Sequence, residues 1–356
     1  MRLERLTLDN FRSYKKRIFN LGQLSLVVAP NARGKTNLLE AISLLSMGDS
    51  ERAGVSEEMI SFGAEIGSVT GIVEHKDERS ELSVVLTRGT YMGKATPKKR
   101  FLVDQVARNK ANFVGKLVVT LFCPEDMRLI EGSPARRRNF LNQTLSLAHP
   151  EYGRAVTVYE ASLRRRNRVL DAIREGRAKR EQLAYWDQSI IKNGNIITDY
   201  RRDFLEYLGQ VKTSFGKYQM EYESSTISAA RLAQYSAEEV AAGYTLVGPH
   251  KDDFRILSVQ KFTNAEMQKS GKDLMKYGSR GEQRLGVLFL KIGGMRYVEE
   301  KLQVTSILLL DDIFSELDKV HRQEVIKMLS ARQTIITTAE EDLGVEIDGA
   351  TRVSLE

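Results

Sequence analysis

Cysteine is almost missing from this chain: of its 356 residues only Cys123 carries a thiol. One thiol forms no intrachain disulfide and builds no thiolate cluster around a metal. That fits a reducing compartment, and the expectation is a cytoplasmic protein. Proline is scarce, with six residues, and there is no low-complexity tract, so no long disordered linker is expected. No apolar run approaches the roughly 20 residues of a membrane-spanning helix, so no membrane association is expected. The N-terminus is charged and enters strand-like sequence at once, unlike a secretory signal. What is present suffices for a core, since hydrophobic residues make up 42%. The length allows two domains, or one with a large insertion. Net charge is +7 with a pI near 9.3, a basic excess too moderate to establish nucleic-acid binding by itself.

The chain is organised around Leu24 to Leu45, LSLVVAPNARGKTNLLEAISLL. Leu24 to Val28 fits a buried strand, Ala29 to Gly34 a small-residue turn, and Lys35 onward a helix with Leu38, Leu39, Ile42 and Leu45 on one side. Strand, tight turn, then Gly34-Lys35-Thr36 opening a helix is the setting of a phosphate-binding loop. Backbone N–H groups point into the turn, the helix start adds positive potential, and Lys35 reaches the terminal phosphates. Thr36 offers a hydroxyl to Mg²⁺. Candidate ligands are therefore Ala29, Pro30, Asn31, Ala32, Arg33, Gly34, Lys35, Thr36 and Asn37. Ala29 stands where the loop pattern has glycine. The competing reading is a strand–helix turn that uses Gly34 only for its backbone freedom.

A second half of such a site lies far along the chain. Ser306 to Leu310 reads as a buried parallel strand ending in Asp311-Asp312. An Asp at a strand tip beside a phosphate loop holds Mg²⁺, and a second carboxylate next to it can orient and deprotonate a water. The bland alternative is two acids capping the next helix. Gln333 to Thr338 gives a further strand. Lys35 and Asp311 stand 276 positions apart (311 − 35), so a helical block of about 126–243 is expected as an insertion. The expected parts are 1–125, 126–243 and 244–356.

Between these halves, residues 66–73, 82–87 and 117–122 read as strands. Lys98, Lys99 and Arg100 read as a charged sheet edge. Arg12 faces either phosphate or solvent. Ser133-Pro134 starts a helix whose first turn holds Arg136, Arg137 and Arg138, against the macrodipole; DNA phosphate and a solvated face are the two readings. Residues 151–215 form two amphipathic runs around Gly176, an antiparallel hairpin. Arg166 occupies an apolar slot, Trp186 reads as core, and Arg164, Arg165 and Arg168 flank the stripe as candidate DNA contacts. The pattern returns to sheet at Tyr244. In TLVGPHKDDF, Asp252 and Asp253 read as turn-capping carboxylates, the spacing matching no metal site.

With FRSY, GKTNLLEAI, FCPEDMRLIEGSPARRRNFL, TLVGPHKDDF, SRGEQR, LLLDDIFSELD and QTIITT in view, the chain resembles the RecF family of ABC/SMC-type ATPases over nearly its whole length. The resemblance implies an α/β fold: an ABC-type ATPase head, a mixed β-sheet with the phosphate loop, plus a mostly α-helical second lobe inserted in it. It implies ATP and Mg²⁺ as cofactors, a weak DNA-stimulated ATPase, an ATP-dependent homodimer, binding to double-stranded DNA at gaps or junctions, and RecR and RecO as partners. Lys35 and Asp312 become catalytic, Thr36 and Asp311 the metal residues. Ser279 and Gly281 become the signature segment that touches nucleotide held by the opposite subunit, with Asp318 in the D-loop. Glu282 stands where the family has Gln.

Overall fold

The computed structural model describes the chain except Asn31, Glu51, 260–270, 314–321, 323–325, 327–330, 340–348 and Glu356. Asn31 and Asp318 therefore lie outside the described residues. The chain divides into two units, Met1–Asp126 with Glu299–Glu356, and Met127–Val298.

Among the described residues, the framework of the first unit is two large sheets and the helix Lys35–Met47, with a small two-stranded sheet and short helical turns beside them. One sheet is antiparallel, in the order Tyr14–Asn20, Arg2–Phe11, Ile66–His75, Glu78–Thr87, Lys99–Val103, Val106–Arg108. Its strands alternate as a half-buried sheet does: in Ile66–His75, Gly67, Val69, Gly71 and Val73 face inward. The other sheet is parallel, in the order Val119–Phe122, Ile307–Asp311, Thr334–Thr338, Leu24–Val28, Thr351–Arg352. Ile307–Asp311 is buried along its whole length, as a central parallel strand is. The helix Lys35–Met47 shares one core with both sheets, and Leu38, Leu39, Ala41, Ile42, Leu44 and Leu45 are all buried. The expected one-sided apolar stripe is thus too narrow: a helix enclosed by two sheets is apolar nearly all round. The expected charged edge is also corrected. Val106–Arg108 lies outside Lys99–Val103, and Lys98 and Lys99 pair with Glu57 and Asp49.

The second unit contains the helices Pro134–Ala148, Pro150–Arg174 and Ala184–Gln210, then shorter elements, then most of the long helix Arg280–Leu302. Pro134 opens its helix as expected, although Ser133 makes no side-chain cap bond. The two long helices run antiparallel: Arg166 meets Asp187, Ser162 meets Ser189, and Tyr152 meets Arg201. Arg166 fills an apolar slot because it has partners there. Its guanidinium donates to Asp187 at 2.6 Å and to Thr245 Oγ1 at 2.8 Å, and pairs with fully buried Glu239 at 2.7 Å. The expected boundary at 243/244 moves to Val298. The returning strand Asp253–Ser258 pairs with Tyr218–Glu223 and with Lys272–Asp273, so the sheet pattern after Tyr244 belongs to the insertion itself. Asp253 accepts the Phe254 amide at 2.9 Å, but the other partners of the two acids lie far along the chain. Buried Asp252 accepts hydrogen bonds from Arg201 at 2.8 Å, from the Ser225 amide at 2.7 Å and from Tyr222. Gly248 precedes them with φ 126°, and a Cβ there would come within 2.4 Å of Tyr159 Oη, so the turn requires glycine.

Candidate phosphate-binding site

The loop after Leu24–Val28 is fixed at both ends. The Ala29 amide donates to the Thr338 carbonyl of the adjacent parallel strand at 3.2 Å, and the Leu38 amide donates to the Gly34 carbonyl at 3.0 Å. Gly34 is the helix N-cap, with φ 100° and ψ 2°. Tyr14 Oη donates to the Gly34 carbonyl at 3.1 Å. Burial pushes the Tyr14 phenol up to about 12, Arg17 opposing, so it stays a neutral donor. Ala32 also lies in the left-handed region, at φ 66°. Left-handed turns of this kind aim successive amides into one concavity, which suits an anion. Lys35 is buried, and its Nζ donates back to the Ala29 carbonyl, folding the ammonium across the loop. Thr36 and Asn37 are half-buried on the first helical turn, and Asn37 donates to Ser13 Oγ at 3.0 Å. Pro30, Ala32 and Arg33 are exposed.

The second half arrives by topology. Ile307–Asp311, Thr334–Thr338 and Leu24–Val28 are parallel neighbours, and Asp311, Thr337 and Val27 share one register row. Two strand spacings therefore separate Asp311 from the last turns of the loop strand, about 10 Å at the backbone. Loops at the carboxyl ends of parallel strands converge on a common crevice. Asp311 is buried, and its Oδ1 accepts from Thr337 Oγ1 at 2.6 Å, which fixes its rotamer. Asp312 turns out of the strand with φ 49°, its amide donating to the Thr337 carbonyl at 3.0 Å.

Among the described residues, no group of three or more His, Cys, Asp or Glu could hold a metal. A Thr36 hydroxyl and an Asp311 carboxylate still fit Mg²⁺, which takes one or two protein oxygens and fills its shell from phosphates and water.

Three contributors were invisible in the sequence pattern. Tyr14 holds the Gly34 carbonyl, Thr337 orients Asp311, and Glu40 ties Arg12 to the loop helix through bonds of 2.9 and 2.6 Å. Arg12 is thus bound to a buried carboxylate on the loop helix. All three are long-range contacts, and no spacing rule reports them.

In the second unit, Ser279 and Gly281 are exposed at the start of the helix Arg280–Leu302. Ser279 and Glu282 form a reciprocal capping box: the Ser279 amide donates to Glu282 at 2.7 Å, and the Glu282 amide to Ser279 Oγ at 3.3 Å. Glu282 also accepts from Lys272 at 2.8 and 2.9 Å. Burial pushes the Glu282 carboxyl up, but these donors outweigh it and hold it below its ordinary value.

The arginine triplet divides. Arg137 is buried and grips Asp253 with two bonds of 2.6 and 2.8 Å, while its Nη1 donates to the Gly132 carbonyl at 2.9 Å. Its expected DNA contact is corrected to a structural one. Arg138 is half-buried and donates to the Asp252 carbonyl at 2.8 Å; Arg136 is exposed. Arg164, Arg165 and Arg168 are exposed on Pro150–Arg174.

The family model for the RecF/RecN/SMC N terminal domain matches residues 2–356. A DNA replication and repair protein RecF from Moorella thermoacetica is 34% identical over 351 residues, covering 95% of this chain and 90% of the relative. The chain belongs to the RecF family of ABC/SMC-type ATPases. A further RecF relative, from Clostridioides difficile, is 30% identical over 363 residues, covering 96% of this chain and 92% of its own. A solved structure of the recombination mediator protein RecF with ATP, in the RecFOR pathway, superposes with a TM-score of 0.85 at 29% identity, covering 99% of this chain and 95% of that one. RecF membership agrees with the α/β head and its insertion. Among the described residues no helix is long and apolar enough to cross a membrane.

Proposed function

We propose that this chain is an ATP-dependent DNA-binding protein of recombinational repair and replication-fork maintenance, acting in the cytoplasm. It recognises double-stranded DNA at gaps or junctions, dimerises with ATP, and works with RecR and RecO in placing the RecA recombinase. The observation that carries the reading is the shared edge of three parallel strands, where the loop with Lys35 and the tip with Asp311 come together. The RecF relatives and the RecF–ATP structure support it.

In this reading the loop amides and Lys35 hold the terminal phosphates. Thr36 and Asp311 would hold Mg²⁺, which would supply charge neutralisation at the phosphates. Asp312 accepts the proton of the attacking water. Ser279 and Gly281 contact nucleotide bound by a second copy. Hydrolysis is weak and stimulated by DNA. A clamp that binds ATP with little turnover is the second reading, favoured by the left-handed Ala32. A Rad50-like nuclease subunit is disfavoured, because the hairpin helices are only 25 and 27 residues long.

The test is sedimentation with ATP, with ADP and with gapped DNA, comparing the natural chain with Lys35→Ala. The natural chain should dimerise with ATP alone, and the folded variant should remain a monomer. ATP-driven dimerisation of Lys35→Ala at normal strength would overturn the assignment.

A further inference from the structure

The helical hairpin carries an aromatic and cationic surface that the nucleotide site does not use. Its centre is Trp186, the single tryptophan of the chain. Apolar spacing predicted this ring in the core, but it is half-exposed. The Arg165 guanidinium lies over it, 5.5 Å from the centroid. Tyr185 meets it edge-on, with centroids 4.8 Å apart and planes at 85°. Tyr185 itself is 69% exposed, a large aromatic ring presented to solvent.

The charge around the rings is positive. Arg165 and Arg168 are three apart on one helix, both exposed, and neither forms an ion pair among the described residues. Asp187, next to Trp186, is engaged by Arg166, and Glu160 lies 3.9 Å from Arg164. A supported ring beside uncommitted guanidinium groups is the combination that binds single-stranded nucleic acid. Phosphates meet the cations, and an unpaired base offers its π-face to the ring. Inside a duplex those faces are covered by neighbouring bases, so duplex gains only the electrostatic part.

We propose that Tyr185, backed by Trp186 and Arg165, stacks on an unpaired nucleobase while Arg165 and Arg168 hold the adjoining phosphates. The inference rests on the DNA reading above and assigns this surface to the single-stranded side of a gap.

The single tryptophan makes the test direct. Trp186 fluorescence and oligonucleotide anisotropy are followed with oligo(dT), with an abasic oligomer of equal length, with a blunt duplex and with a gapped duplex, each with and without ATP. Oligo(dT) should quench Trp186, and the abasic oligomer, which keeps the phosphates, should quench far less. Tyr185→Ala should weaken oligo(dT) binding about tenfold, and leave blunt-duplex affinity unchanged. Tyr185→Phe should restore it, since stacking needs the ring alone. Truncation of so exposed a side chain leaves the core intact. Equal binding of oligo(dT) by the natural chain and Tyr185→Ala, or equal quenching by oligo(dT) and the abasic oligomer, overturns the subsite while the DNA reading stands. In that case the surface is a protein-docking face. Failure of the natural chain to bind duplex or gapped DNA overturns both.

Discussion

Ala32 holds φ 66° in a loop where the side chain is a burden. An L-residue in the left-handed region costs roughly 1–2 kcal/mol, which glycine avoids. Ala32→Gly is therefore expected to tighten a non-hydrolysable ATP analogue several-fold, read by titration. Unchanged affinity together with a higher Tm would mean that the loop holds this conformation regardless of nucleotide, and would sink the affinity claim. A second residue-scale effect concerns His250. Its Nδ1 accepts from Tyr159 Oη at 2.7 Å and its Nε2–H donates to the Thr245 carbonyl at 3.1 Å, which fixes the neutral tautomer. Burial pushes its pKa down to about 4; the Thr245 bond opposes this, and Lys251, Arg138 and Arg166 reinforce it. The unfolded chain binds this proton first, so stability is complete above about pH 6.5 and falls as pH drops toward 4, by about 3 kcal/mol. Urea melts of the natural chain and His250→Gln should diverge across that window. Parallel curves would remove His250 as the cause.

At the scale of the element, the helix Pro134–Ala148 exposes one arginine and buries its neighbour. Arg137→Ala leaves Asp253 without its guanidinium, and breaking such a pair costs about 3–5 kcal/mol. Arg136 is exposed, and an exposed substitution costs within about 0.5 kcal/mol. Arg136→Ala should weaken duplex binding and flatten its salt dependence while leaving the urea midpoint in place. Arg137→Ala should do the reverse, and a stable Arg137→Ala with weakened DNA binding would restore it to the interface. The sequence could not separate these neighbours, because a buried arginine is specified by partners far along the chain, here Asp253. The same limit hid Glu239 and Thr245 around Arg166, and Thr337 beside Asp311. What was legible was local: the apolar strand before Ala29, the Gly34-Lys35-Thr36 opening of a helix, the proline start at Pro134, and the apolar run ending in Asp311. Trp186 was misplaced because helical spacing reports which face a ring lies on, and not how deeply that face is covered.

For the whole molecule, the exposed capping box at Ser279 bears on assembly. Ser279→Arg removes the hydroxyl that receives the Glu282 amide, at about 1 kcal/mol of local stability, and projects a long cation from the helix start. The monomer should still bind ATP, while dimerisation is lost in sedimentation with ATP. Loss of nucleotide binding by the monomer would show that the segment does not act across two copies.

The division of the first unit between the two ends of the chain also fixes an order of manufacture. Leu24–Val28 is translated before the insertion, yet the strand it pairs with, Thr334–Thr338, follows only after the whole of Met127–Val298. Met127–Val298 is continuous and has left the ribosome by then. Each new chain should therefore complete its helical insertion while its nucleotide sheet still lacks a central strand, and should acquire protease resistance in that sequence. Ribosome-bound chains stalled with Val298 outside the exit tunnel and Thr334–Thr338 still within it are the material to examine. Protection of Met127–Val298 with cleavage in the first hundred residues is the expected pattern, and simultaneous protection of both would refute it. An incomplete chain then holds a finished helical insertion beside a phosphate-loop sheet still missing its middle strand.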